Sequence, residues 1–227
     1  MALLSRNVKT NHEIKRDMSA RLVLLRHGQS EWNLENRFTG YRDVALTVQG
    51  RNEAGKAGAR IAGADIIFDT VFSSTLKRAI DTAAIALKAA GQSHLLKNMI
   101  QDDALCERDY GDLTGQNKDE ARAQYGEEQV HIWRRSFDVP PPGGESLKDV
   151  LENRVRPYYK QAIRPELEQD RDVLIVAHGN SLRAMMIILG DQTPETINDA
   201  ELPTGMPLVF DLKDGAIGKR HFLREEE

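Results

Sequence analysis

Two histidines carry the chemistry open to this chain. Arg26-His27-Gly28 ends a short apolar run, Leu22 to Leu25, and His178-Gly179 ends another, Val173 to Ala177. Each run is too short for a buried helix and is flanked by polar residues, so each reads as a buried strand. The glycine lets the backbone turn tightly and leaves the histidine at the strand's C-terminal edge. In open α/β sheets that edge is where ligands bind. Strands lying parallel in one sheet would bring both imidazoles and Arg26 to one place. Such a cluster suits a phosphoryl group, with one histidine as nucleophile and the rest supplying charge. A lone strand-end His-Gly is most often only a turn. The pair, one preceded by arginine and the other followed by Asn180-Ser181, points to catalysis.

The elements around these ends supply further candidates. A polar stretch, Leu34 to Ala45, is long for a connection between strand and helix, and such loops tend to be functional. Thr47 is placed to cap a helix running to about Ala62, which Gly50, Gly55 and Gly58 weaken unless they serve close packing. Asp69 to Phe72 reads as a strand ending at Ser73-Ser74, with a helix from about Thr75 to Ala90 after it. Arg78 lies in that helix's first turn, where the helix dipole adds positive charge beside the same sheet edge. A helix arginine is ordinarily a solvated cation, but its position one turn past a strand end gives Arg78 a phosphate role of comparable weight. Residues 101–117 read as an ordered loop whose Glu107 is the carboxylate to inspect for proton transfer. Residues 118–137 read as one or two short helices carrying Trp133-Arg134-Arg135. After the turn-rich Val139 to Gly144, Ser146 is placed to cap a long helix, Leu147 to about Glu168, which Pro157 and Pro165 should kink or divide. Two strands, Leu208 to Leu212 and about Arg220 to Leu223, are expected around the turn Asp214-Gly215.

The bulk properties exclude little but fit this picture. With 227 residues, 40% of them hydrophobic, one well-buried domain is the simplest organisation. A formal net charge of -4 gives no reason to expect nucleic acid or membrane binding, so cations must be used locally on an anionic ligand. The single Cys106 excludes an intrachain disulfide and a cysteine zinc cluster, and fits a reducing cytoplasm. No apolar run approaches the ~20 residues of a membrane span. Residues 1–19 are polar and unpatterned, without the apolar core of a secretory signal. A disordered N-terminal extension without catalytic role is expected there, with 20–227 as a single catalytic domain.

These residues resemble a known family. Leu22 to Asn33, reading Leu-Val-Leu-Leu-Arg-His-Gly-Gln-Ser-Glu-Trp-Asn, is similar to the opening of the histidine phosphatase superfamily. Within it the chain resembles the bisphosphoglycerate-dependent phosphoglycerate mutases. The supporting motifs are Asn36-Arg37-Phe38-Thr39-Gly40, Leu76-Lys77-Arg78-Ala79, Glu107-Arg108-Asp109-Tyr110-Gly111, Asn117-Lys118, Tyr125-Gly126 and Trp133-Arg134-Arg135. Ala177 to Arg183 and Pro203-Thr204-Gly205-Met206-Pro207-Leu208 complete the set, which spans roughly residues 20 to 224.

The resemblance implies a three-layer α/β/α sandwich around a mostly parallel sheet. It implies that His27 is the nucleophile that becomes phosphohistidine, with Arg26, Arg78 and His178 around the transferred phosphoryl and Glu107 moving the proton. Ser30, Asn33, Thr39, Gly40, Gly179 and Asn180 are implied as phosphate-pocket and substrate contacts. Tyr110, Lys118, Arg134 and Arg135 are implied to grip the substrate's carboxylate and second phosphate. The reaction implied is interconversion of 2-phosphoglycerate and 3-phosphoglycerate in glycolysis and gluconeogenesis, primed by 2,3-bisphosphoglycerate and needing no metal. A cytoplasmic homodimer is implied on the same ground. Rival readings are a phosphatase on the same scaffold and a non-catalytic phosphoester-binding module. One departure bears on the first rival. Pro142-Gly143-Gly144-Glu145-Ser146 bridges directly where typical members carry a longer segment near the mouth of the site.

Overall fold

The two strands that end in His-Gly lie side by side and parallel at the centre of a six-stranded sheet. The structure, a computed structural model, describes residues 19–213 and 216–224. Its strands are β1 (Ser19–Arg26), β2 (Thr70–Ser73), β3 (Ile100–Gln101), β4 (Val173–Ala177), β5 (Pro207–Lys213) and β6 (Ala216–Phe222). Their order across the sheet is β3-β2-β4-β1-β5-β6. The first four are mutually parallel, whereas β5 runs antiparallel to both β1 and β6. The sheet is therefore mixed, and β5 alone of the described strands is reversed.

The unbroken apolar runs of β1 and β4 follow from burial on both faces. Leu22, Leu24, Val173 and Ile175 point into one core, which the helical run 147–167 and the helix Gly179–Leu189 cover. Val23, Leu25, Leu174 and Val176 point into the other, covered by the helices Val48–Gly63 and Lys77–Ala89. That is the expected three-layer sandwich. A smaller third cluster, Phe38, Leu113, Ala121 and Val130, lies beneath the short helices Lys118–Tyr125 and Glu127–Arg135. It anchors the segment that carries Lys118, Arg134 and Arg135.

Thr47 caps Val48–Gly63 through Gly50 N–H at 3.0 Å. Gly50 meets the sequence expectation of close packing. A Cβ on it would lie 2.0 Å from the Gln29 carbonyl oxygen, and a Cβ on Gly28 would lie 2.2 Å from that of Gly50. The helix thus presses its first turn directly onto the turn that follows His27. Ser146 starts the 147–167 run with a capping box to Asp149. The prolines leave the run continuous but change its winding. Val150–Val155 and Tyr159–Ile163 are π-helical, and each precedes a short α-helical turn that contains a proline. The missing proline N–H is absorbed by this local unwinding.

The expected disordered extension falls outside the described residues except for Ser19, whose backbone already pairs with Lys213 in the sheet. The Asp214-Gly215 turn and the last three residues also lie outside them. Among the described residues, no helix is long and apolar enough to cross a membrane.

Candidate active site

The parallel register sets Arg26 opposite Ala177, and His27 N–H donates to the Ala177 carbonyl at 3.0 Å. The two following residues are therefore neighbours. The rings of His27 and His178 lie 4.9 Å apart, tilted by 56°, and both are buried. His27 Nδ1 is 2.7 Å from the Gly28 carbonyl oxygen. A carbonyl only accepts, so the ring proton belongs on Nδ1 and the lone pair on Nε2. His178 Nε2 is 2.7 Å from Ser74 Oγ, at the end of β2.

Arg78 reaches the same edge from the first turn of Lys77–Ala89. Its guanidinium donates to the Arg42 and Gly40 carbonyls at 2.7 and 2.9 Å, which ties the 34–45 loop to the site. Thr82 links the two elements by donating to the Arg78 carbonyl and accepting from Gly28 N–H. Arg26 donates to the Leu202 carbonyl at 3.0 Å.

Glu107 is held as a carboxylate. Its Oε1 accepts from Arg108 N–H at 2.8 Å and from the side-chain and backbone amides of Asn180 at 2.8 and 3.2 Å. Arg154 braces this loop from behind. It pairs with Glu145 at 2.8 Å and donates to the carbonyls of Asp103, Ala104, Cys106 and Glu107.

The site's charges set its protonation states. Burial, then His178, Arg78 and Arg26, hold the His27 pKa well below the ordinary histidine value. His178 is lowered well below it too, by burial and then by Arg78 and Arg26. Both rings are neutral in the folded protein. Burial pushes Glu107 up, but the hydrogen bonds from Arg108 and Asn180, with the charges of Arg26 and Arg78, outweigh it and hold the carboxyl below its usual range. Burial, then Arg134 and Arg26, bring Lys118 down to about 8.

One cleft of about 190 Å³ joins His27, Arg26, Asn33, Thr39, Arg78, Glu107, Tyr110, Lys118, Arg134, Arg135, Gly179 and Asn180. Three residues picked from the sequence do not line it. His178 sits behind His27, Gly40 offers its carbonyl to Arg78, and buried Ser30 caps the helix Glu31–Leu34 by accepting from Asn33 N–H at 3.3 Å. Arg37, Phe38 and Arg183 line the cleft without having been assigned a role from sequence. For Arg183 a signal existed: it follows Gly179 by four residues, one turn along the helix. Seven lining residues are cations, and Glu107 is the single carboxylate among the described lining residues. No group of three or more His, Cys, Asp or Glu side chains among the described residues is placed to hold a metal ion.

A sheet with a strand-end histidine pair facing a cationic cleft is the make-up of enzymes that pass phosphoryl groups through histidine. Comparison with known proteins narrows this class. Residues 22–220 match the histidine phosphatase superfamily (branch 1). A protein of Brucella anthropi, named 2,3-bisphosphoglycerate-dependent phosphoglycerate mutase, is 55% identical over 207 residues, covering 91% of this chain and 99% of its own. A protein of Brucella canis with the same name is 54% identical over the same span. Among solved structures, YhfR of Bacillus stearothermophilus superposes with a TM-score of 0.73 at 26% identity, over 87% of this chain and 94% of its own. A mycobacterial glucosyl-3-phosphoglycerate phosphatase superposes with a TM-score of 0.72 at 30% identity, over 84% and 92%. The chain belongs to the histidine phosphatase superfamily and, within it, to the family of 2,3-bisphosphoglycerate-dependent phosphoglycerate mutases.

The short Pro142–Ser146 bridge is consistent with this membership. The Brucella anthropi relative is matched over nearly its whole length by 207 residues, so it has no room for a longer segment either. Here the bridge is packed closed. Gly111 has φ +52°, a Cβ on it would lie 2.2 Å from the Pro142 carbonyl oxygen, and Glu145 N–H donates to the Asp109 carbonyl at 2.9 Å.

Proposed function

We propose that the protein interconverts 2-phosphoglycerate and 3-phosphoglycerate through a phosphohistidine at His27, with 2,3-bisphosphoglycerate as priming phosphoryl donor. The observation that carries this reading is the committed tautomer of His27, whose unprotonated Nε2 belongs to a cleft lined by seven cations. That excess of cations fits a polyanion with two phosphates and a carboxylate.

His27 Nε2 attacks phosphorus and the bond from phosphorus to the substrate oxygen breaks. Arg26 and Arg78 neutralise the equatorial oxygens, which is most of what phosphoryl transfer asks of a protein. With the Ser74 hydroxyl donating to His178 Nε2, the ring proton of His178 sits on Nδ1. Among the described residues that atom is buried without a hydrogen-bond partner, which leaves its proton to donate to a phosphoryl oxygen. Glu107 gives a proton to the departing hydroxyl oxygen and takes one back when a hydroxyl attacks. The bound phosphoryl offsets Arg26 and Arg78, two of the charges that hold Glu107 low, so with substrate present the carboxyl takes up a proton more readily and has one to give. Lys118, Arg134 and Arg135 retain the bisphosphate while it reorients, which separates a mutase from a phosphatase.

Glycolysis and gluconeogenesis, the cytoplasm and a homodimeric assembly complete the reading, by analogy with the family. The paired assay of isomerisation and phosphate release, with and without bisphosphate, tests it. Bisphosphate-dependent isomerisation exceeding phosphate release is expected. Phosphate release without isomerisation would assign the scaffold to a phosphatase instead.

A further inference from the structure

Arg183 is a cation of the cleft that forms no salt bridge among the described residues. It lies on the helix Gly179–Leu189, and its Nη1 is 3.6 Å from the point where a Cβ on Gly179 would stand. The Glu107 Oε2 and the Arg26 guanidinium carbon border the same point at 3.6 and 3.8 Å, so the missing side chain leaves room there for a ligand atom. The hydrogen bond found for Arg183 among the described residues is a long one, 3.4 Å, to the Ala200 carbonyl. Its Nε is buried and has no hydrogen-bond partner among the described residues.

Arg183 belongs to a group of its own within the cleft. Arg26, Arg135 and Arg183 line both the catalytic cleft and an adjoining cavity of about 470 Å³ bordered by residues 198–203. Lys118 and Arg134 line only the first of these two. Burial, then Arg135 and Arg26, push the Arg183 pKa down to about 10, the mark of like charges crowded in a partly dry place. Lys118 instead takes its largest neighbouring charge from Arg134.

The bisphosphate has two anionic groups besides the one at His27: a carboxylate and the non-reacting phosphate. Guanidinium forks match a planar carboxylate through paired N–H donors, whereas lysine acts on phosphate as a point charge. We infer that Arg183, with Arg135, grips the substrate carboxylate while Lys118 and Arg134 hold the non-reacting phosphate. Arg183 thereby sets the preference for phosphoglycerates over phosphate esters that lack a carboxylate. This rests on the phosphoglycerate reading above.

The test is calorimetric binding of 3-phosphoglycerate and glycerol 3-phosphate to the full chain, wild type against Arg183→Gln and Arg183→Lys. Loss of a charge-assisted carboxylate contact weakens 3-phosphoglycerate about 10- to 100-fold. Glycerol 3-phosphate should stay within about threefold of wild type on the same scale. Arg183→Lys keeps the charge without the fork, and serves if the glutamine variant does not fold: it too should narrow the preference. Equal weakening of both ligands would make Arg183 a structural prop of the 198–203 segment and overturn the inference, as would unchanged affinities in both variants. A wild type without preference for the carboxylate would overturn it too. Absence of isomerisation with the preference intact would remove the mutase reading and leave the role of Arg183 standing.

Discussion

At Glu107, burial and hydrogen bonding pull the carboxyl in opposite directions, and hydrogen bonding wins. A glutamine in its place would still accept from Arg108 and Asn180 but could not move a proton. Glu107→Gln should therefore fold normally and lose about 10²- to 10⁴-fold in isomerisation, measured by steady-state kinetics. Lys118 gives a pH-dependent counterpart. With its pKa near 8 it is charged below that pH and neutral above it. Affinity for 3-phosphoglycerate should fall as pH rises past 8, at a slope approaching about tenfold per unit for one proton. Lys118→Met should flatten that limb when binding is followed from neutral pH upward.

Among the elements, the loop that carries Glu107 depends on a residue far from it in sequence. Arg154 projects from the π-helical stretch Val150–Val155, joins Glu145 and donates to the carbonyls of Asp103, Ala104, Cys106 and Glu107. Arg154→Met should cost about 1–3 kcal/mol in chemical denaturation, the scale of charged hydrogen bonds left unmade. Activity should drop with it, because the Glu107 loop loses its support.

Nothing in the sequence marks Arg154 for this task, since four separated carbonyls converge on it only in the fold. The strand-end histidines were legible because they depend on local features, an apolar run and a glycine turn. The cap of Val48–Gly63 by Thr47 was legible for the same reason. Prolines 157 and 165 were legible as disturbances, but not their outcome, because a helix packed along its length can rewind locally and continue. Ser30 was placed in the pocket by its motif, but the structure uses its hydroxyl as a helix cap.

Across the whole molecule, the same sheet that stabilises the chain brings the two histidines together, and it does so by burying them neutral. That has a thermodynamic consequence. In the unfolded chain each histidine binds a proton near pH 6.5, whereas in the fold both pKa values lie well below this. Below that pH the unfolded state holds the extra protons, so stability falls as pH drops, by up to about 1.4 kcal/mol per unit for each histidine. Urea unfolding of wild type and His178→Gln between pH 7.5 and 5 checks this. The difference between the two curves should change sign-consistently with one titrating group, wild type losing ground as the solution becomes acid.

The proposed phosphohistidine itself can be trapped. Radiolabelled 2,3-bisphosphoglycerate mixed with the protein and quenched should leave label on His27 that survives base and is lost in acid. Chasing with unlabelled 3-phosphoglycerate should remove it at a rate compatible with turnover, and His27→Ala should take up none. Isomerisation by His27→Ala, or wild-type turnover with no label on His27, would contradict the mechanism at its root.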